Sequence, residues 1–155
     1  MPTLAINKRA RYDYNISDTY EAGLVLFGHE VKSIRSGQAS LKGAFVTLKT
    51  RKNNKLPEIY LTNAHIPLYK RASNIKNYDP DRPRKLLIKS SEIKRLLGKK
   101  QAEGISFIPL NIHTKHNKLK LEFGIGKGKK KHDKREDLKK KDDKRKINRM
   151  MKTSN

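Results

Sequence analysis

Two histidines, His113 and His116, stand three residues apart and are the first place to look for metal chemistry. They fall at a strand end and in a turn, where that spacing sends the two side chains to different faces, and no third ligand lies near. His29 sits beside Glu30 and His65 beside Ala64, in neither a ligand pattern nor a triad pattern. The signatures G-x-S-x-G, H-E-x-x-H and G-x-x-x-x-G-K-S/T are absent. The run G-I-G-K-G (Gly124–Gly128) has phosphate-loop composition, but it follows a final strand and precedes a charged arm, so it reads as a flexible joint. With no cysteine, disulfides, zinc ribbons and thiol catalysis are excluded. These residues predict no enzyme, no metal and no cofactor.

Cations beside aromatic rings give a better signal. Asn7, Lys8, Arg9 and Arg11 lead straight into Tyr12 and Tyr14. Cations neutralise phosphates while a ring stacks an unpaired base, which is how single-stranded or looped RNA is held. One of the tyrosines could equally pack in a core. A second basic set is Lys32, Arg35 and Lys42, and a third is Lys118 and Lys120. Each alone is an ordinary solvated face. The chain carries +23, however, of which +14 lies before residue 126, and that favours a shared RNA surface.

From Gly126 to Asn155 the chain holds fourteen Lys or Arg against five Asp or Glu. Only Leu138, Ile147, Met150 and Met151 could be buried there, too little to offset the entropy of ordering. Yet Glu136–Lys140, Asp137–Lys141 and Asp142–Lys146 are acid-before-base i,i+4 pairs, each contributing roughly 0.2–0.5 kcal/mol to a helix. The arm is expected to be largely disordered when free and helical along a polyanion; a solvated solubility tail is the alternative. No stretch is apolar enough to span a membrane or to lie on one, which leaves nucleic acid as the polyanion. The N-terminus lacks the apolar core of a secretory signal, so the expected location is the cytoplasm.

The elements that must position these residues are mostly β. Residues 1–11 read as a polar leader, Tyr12–Ile16 as a strand, Ser17-Asp18 as a turn, and Thr19–Phe27 as β with a bulge or bend at Gly23. His29–Ser36 reads as a short helix stopped by Gly37. Leu41–Thr50 and Glu58–Ile66 form a hairpin across the Arg51–Pro57 turn, and residues 67–84 are a long connection. Lys85–Lys89 is a strand. A helix capped by Ser90 or Ser91 follows, with Ile93, Leu96 and Leu97 on one face, Gly98 a point where it could break into two turns, and Gly104 its end. Ile105–Thr114 and Lys118–Ile125 are strands joined by a K-H-N turn. With only 34% apolar residues an open sheet would leave a face bare. The expected fold is mainly β: a small closed antiparallel OB-like β-barrel (1–126) with two or three short helices and a basic C-terminal tail (127–155).

N-K-R-A-R-Y-D-Y, Y-E-A-G-L-V-L (Tyr20–Leu26), G-H-E-V-K-S-I-R, R-P-R-K-L-L-I and G-K-G-K-K-K-H-D-K-R-E-D-L-K occur in a familiar order. Through them the chain resembles the small protein B (SmpB, SsrA-binding protein) family, the transfer-messenger-RNA-binding proteins of bacterial trans-translation. The resemblance implies a six-stranded OB-like barrel whose tail is unstructured in solution. It implies binding to the tRNA-like domain of transfer-messenger RNA and delivery, with elongation factor Tu, to stalled ribosomes, as a monomer. There the tail would lie as a helix in the vacant mRNA channel near the decoding centre.

By the same resemblance Asn7, Lys8, Arg9, Arg11 and Tyr12 face the tRNA-like domain; many relatives have His at the Tyr12 position, and tyrosine keeps the ring but loses the imidazole donor. Glu21, Leu87 and Lys120 match RNA-binding positions, although Leu87 could instead be a core residue whose loss deforms the surface. Gly128 and His132, within the segment Gly128, Lys129, Lys130, Lys131, His132, Asp133, Lys134 and Arg135, match positions needed on the ribosome. The loop Arg51–Pro57 is longer and more basic than usual and has no assigned role. The competing readings are a generic basic OB-fold ribosome-associated protein, and an RNA-processing enzyme whose turnover would depend on a histidine.

Overall fold

Leu119, Leu121 and Phe123 alternate with Lys118, Lys120 and Glu122, a pattern a strand satisfies by laying one face on a core. The computed structural model, which describes residues 2–53, 56–72 and 75–153, has them so, with the apolar three at most 8% exposed. Its elements are β1 (Thr3–Ile6), α1 (Ala10–Asp13), β2 (Tyr14–Leu24), α2 (Gly28–Arg35), β3 (Phe45–Lys49), β4 (Glu58–Thr62) and β5 (Arg84–Leu87). They continue with α3 (Ser90–Lys100), β6 (Ile105–Lys115), β7 (Lys118–Gly128) and α4 (Lys131–Thr153).

Hydrogen bonding runs β1-β6-β3-β4-β5-β2-β7, and β7 pairs back onto β6. Six antiparallel strands therefore close a ring, and β1 lies outside it on β6, with Ile6 opposite Asn111. Closure answers the composition: the buried apolar side chains gather mainly in one interior. Ile34 of α2 and Leu96 of α3 enter that interior beside Leu61, Ile112, Leu121 and Phe123. A smaller cluster seats α1, where Ala10 packs on Ile108 and Leu110. The β6–β7 turn is His116-Asn117, both at positive φ (49° and 63°), as a tight two-residue hairpin turn requires.

Several local expectations are corrected. The polar leader contains β1, and Tyr12 lies in α1 rather than in a strand, because Ala10 turns inward onto the small cluster. No turn occurs at Ser17-Asp18: β2 runs through it as a register shift between Ile16 and Thr19, since β7 offers partners on both sides. Gly23 is not a bulge but the point where β2 pairs with β5 and β7 together. Helix α3 starts at Ser90 with Lys89 as its cap residue and no side-chain cap, and Gly98 does not break it. Gly37, at φ +80°, does end α2, whereas α3 stops at Lys100 with Gln101 as its cap residue, four residues before Gly104 at φ +76°. In the β3–β4 turn, Asn54 and Lys55 lie outside the described residues, as does Asn74 in the long connection.

Gly124–Gly128 is not a joint. It is the end of β7, paired with both β2 and β6. A Cβ on Gly124 would stand 2.5 Å from Ile16 Cγ2, and one on Gly126 3.0 Å from Ile16 Cδ1. The glycines let the Ile16 side chain lie flat on the strand. Beyond Gly128 the arm is the helix α4, 23 residues long and exposed over nearly its whole surface. Its final expected residues, Ser154 and Asn155, lie outside the described residues.

Candidate nucleic-acid interface

Gly23 organises the outer face of the barrel. It is opposite Leu87 on β5 and Lys120 on β7, and a Cβ there would lie 3.5 Å from Leu87 Cβ and 3.7 Å from Lys120 Nζ. An apolar and a cationic side chain thus meet over a position with no side chain of its own. Leu87 is 57% exposed, and it is its neighbour Leu86 that fills the core at 2%. The core alternative for Leu87 is therefore set aside, because strand alternation turns Leu86 inward.

Two residues along β2, on the same face as Gly23, Glu21 is tied to β6. Its carboxylate lies 3.2 Å from His113 Nε2 and 3.3 Å from Lys115 Nζ. His113 Nδ1 is 2.8 Å from Asn111 Oδ1, and Asn111 Nδ2 donates to Glu122 (2.8 Å). Burial pushes the Glu21 carboxyl up, but the bonds from Lys115 and His113 outweigh it and hold it below the usual carboxylate range. His113 is thus a hydrogen-bonded positioning group, and His116 is in the turn, so the pair is separated as expected. Among the described residues no cluster of three His, Asp or Glu could hold a metal ion.

The N-terminal set occupies the corner between β1 and α1. Asn7 serves the fold: its backbone N–H donates to the Leu110 carbonyl (2.8 Å) and its Nδ2 to the Pro109 carbonyl (2.9 Å). Lys8, Arg9 and Arg11 are exposed. The Arg9 guanidinium pairs with Asp13 (3.2 Å), holding that carboxyl below its usual range, and lies 5.2 Å from the Tyr12 ring centre. On the other side Lys134 of α4 reaches Asp13 (3.4 Å) and stands 6.0 Å from the same ring. Tyr12 is therefore flanked by two cations, one of them from the tail. Tyr14, by contrast, packs on the Ala10 cluster.

The root of the tail is fixed at this corner. Gly128 pairs with Tyr14, and the Lys129 N–H donates to the Asp13 carbonyl (2.8 Å). The Lys129 ammonium pairs with Asp137 and lowers its carboxyl pKa, so Asp137 is engaged upstream of the Lys141 expected from its spacing. His132 lies 3.2 Å from Glu136 one turn on; Lys130, Lys131 and Arg135 are exposed, and Asp133 is half-buried.

Of the remaining basic residues, Arg35 and Lys118 meet at the β6–β7 turn and Lys32 turns toward the long connection. Arg35 donates to the Asn117 carbonyl (3.0 Å), next to exposed Lys118, while Lys32 stands 6.0 Å from the Tyr69 ring. The candidates thus string along the β2–β7 ladder rather than forming one patch. Gly23–Lys120 marks one end and Tyr14–Gly128 the other, about 30 Å apart by strand rise. Lys42 belongs elsewhere, lining a groove together with Lys8.

Sequence reasoning missed what braces this face. Glu30 of α2 is completely buried and gripped by Arg84 (Nε 2.9 Å, Nη2 2.7 Å) and by Arg82, with the Tyr78 hydroxyl 2.9 Å away. Arg84, also fully buried, donates to the Ala64 carbonyl and to Tyr78. This cluster clamps the 67–84 connection to α2 and sets β5, hence Leu87. The motifs G-H-E and R-P-R contained its charged members, but nothing in the sequence pairs residues 54 apart.

The family model for SmpB protein matches residues 4–153 of the chain. The SsrA-binding protein of Staphylococcus carnosus is 49% identical over 150 residues, 97% of this chain and 92% of that protein. That of Thermosipho africanus is 46% identical over 153 residues, 98% of each. A solved structure described as "tmRNA-SmpB: a journey to the center of the bacterial ribosome" is 41% identical, with a TM-score of 0.64, covering 84% of this chain and 87% of its own.

Proposed function

The chain belongs to the SmpB protein family, and on that premise we propose that it binds the tRNA-like domain of transfer-messenger RNA and carries it to stalled ribosomes for trans-translation. One observation carries the reading: Leu87 and Lys120, from strands far apart in sequence, converge on Gly23 with Glu21 on the same face. An exposed leucine beside a lysine fits a sugar and phosphate edge better than it fits water.

In this reading the strip from Lys120 to Tyr12 lies along the RNA, and elongation factor Tu joins through that RNA. The protein acts as a monomer in the cytoplasm; among the described residues no helix is long and apolar enough to cross a membrane. It does its work by positioning RNA, without turnover. The tail, Gly128 to Arg135 and beyond, enters the empty mRNA channel toward the decoding centre. It buries almost nothing, so when free its helix rests on local pairs and the Lys134–Asp13 contact at its root and is only partly formed; the polyanionic channel completes it. An mRNA and this cationic arm cannot share one channel, which restricts the complex to ribosomes whose channel is vacant.

The test is binding of a tRNA-like-domain transcript, at about 0.15 M salt because phosphate contacts make affinity steeply salt-dependent. Full-length protein and a chain ending at Gly128 are compared, with bulk ribosomal RNA as competitor. Tight, competitor-resistant binding by both is expected. Equal affinity for the competitor would replace this reading with that of a generic basic ribosome-associated protein.

A further inference from the structure

Between the β1–α1 corner and the loop leading into β3 lies an open groove of about 700 Å³. Ile6, Lys8 and Arg9 line one side, Lys42 and Phe45 the other, and Ile108 of β6 also lines it. The groove is an apolar slot open to solvent, with Ile6 61% and Phe45 39% exposed. Its sides are held by the barrel. Asn7 bonds to two β6 carbonyls, Ser40 exchanges backbone bonds with His65 (2.8 and 2.9 Å), and the Ala44 N–H donates to the Leu41 carbonyl (3.0 Å). Among the described residues the ammonium groups of Lys8 and Lys42 make no ion pair.

The ligand that suits such a groove has a flat apolar part and a negative charge. A nucleotide has both: its base stacks on an aromatic ring and its phosphate pairs with lysine. The volume is that of a small-ligand site, ample for one nucleotide. An acidic peptide offers charge but no planar face for Phe45. We propose that this groove holds one unstacked nucleotide of the bound tRNA-like domain, its base against Phe45 and Ile6 and its phosphates toward Lys8 and Lys42. The inference rests on the RNA-binding reading above and adds a single-base contact to it.

Full-length protein, Phe45→Ala, Phe45→Tyr and Lys42→Ala are compared with a tRNA-like-domain transcript. Affinity is measured at two salt concentrations, chemical modification of the RNA bases at nucleotide resolution, and folding by thermal melting. Wild type is expected to protect one unpaired base from modification. Phe45→Ala exposes that base and weakens binding about tenfold, and Phe45→Tyr restores both. Lys42→Ala, which removes the ammonium and leaves Phe45 in place, lowers the slope of log affinity against log salt by about one. Tight wild-type binding with an unchanged protection pattern in both Phe45→Ala and Lys42→Ala overturns the groove while leaving the RNA-binding reading intact. Displacement by a polyglutamate peptide that depends on Phe45, with no base protected, overturns it in favour of a peptide. Absence of specific wild-type binding defeats the RNA-binding reading itself, and the groove with it.

Discussion

Arg84 Nη2 stands 2.7 Å from Glu30 Oε2, and neither side chain is exposed. The pair locks α2 to β5 across 54 residues of chain. Removing one member leaves the other charged in the interior, so Arg84→Met should cost about 3–5 kcal/mol in urea denaturation. Combining it with Glu30→Gln should recover part of that loss. A single-variant loss below about 1 kcal/mol would show that the pair does not brace the barrel.

The same cluster shapes the pH dependence of stability. Burial pushes the Glu30 carboxyl up, but bonds from Arg82, the Phe27 N–H and Arg84 outweigh it and hold it at about 2, against 4.5 ordinarily. A lowered carboxyl stabilises the fold above its unfolded value, and that contribution, about 3 kcal/mol, is lost as pH falls through the folded one. Burial, with the hydrogen bond to Glu30, raises Tyr78 to about 12 from 10. Its contribution is present below the unfolded value and is lost as pH rises through the folded one. Denaturation midpoints should therefore fall on both sides of a plateau between about pH 5 and 10. Glu30→Gln should blunt the acid limb and Tyr78→Phe the alkaline one.

Gly124 cannot gain a methyl without moving Ile16, whose Cγ2 would stand 2.5 Å away. Gly124→Ala should destabilise by about 1–3 kcal/mol through overpacking. In the double variant Ile16→Ala/Gly124→Ala the combined loss should be smaller than the sum, a non-additivity that denaturation of all three proteins reads directly. Additive losses would mean the backbone, rather than Ile16, bears the strain.

Leu87 and Lys120 should separate binding from folding. Because Leu87 is exposed, Leu87→Ala is expected to change stability by no more than about 0.5 kcal/mol while weakening RNA binding about tenfold. Lys120→Ala should instead reduce the salt dependence of affinity by about one phosphate. Titration of the tRNA-like domain at several salt concentrations distinguishes the two, and unchanged affinity in both would remove the Gly23 face from the RNA contact.

Where a local pattern had a single cause, the sequence revealed the structure. The alternation Leu119-Lys120-Leu121 had only one reading, and the barrel followed from too few apolar residues to cover an open sheet. Short elements were hidden because their causes are distant: four-residue β1 exists only because β6 has an edge to pair with. Ile16, not composition, decides that Gly124 is strand, so the run read as a joint. The resemblance named Glu21, Leu87 and Lys120, but only the topology showed that the last two meet at Gly23. Arg84 and Glu30 lay in two quoted motifs whose connection no spacing rule could supply.

The 23 residues of α4 span about 35 Å, and the rod starts from a hinge pinned by the Lys129–Asp13 backbone bond. Such an arm is a yardstick. Adding one residue inside α4, just after Lys134, would turn every later charge by about 100° while lengthening the reach by only about 1.5 Å, and adding seven would nearly restore the phase while moving the tip about 10 Å. Phase and reach can thus be altered separately, so for the proposed entry into a channel the length of this arm is a variable in its own right beside the charges it carries.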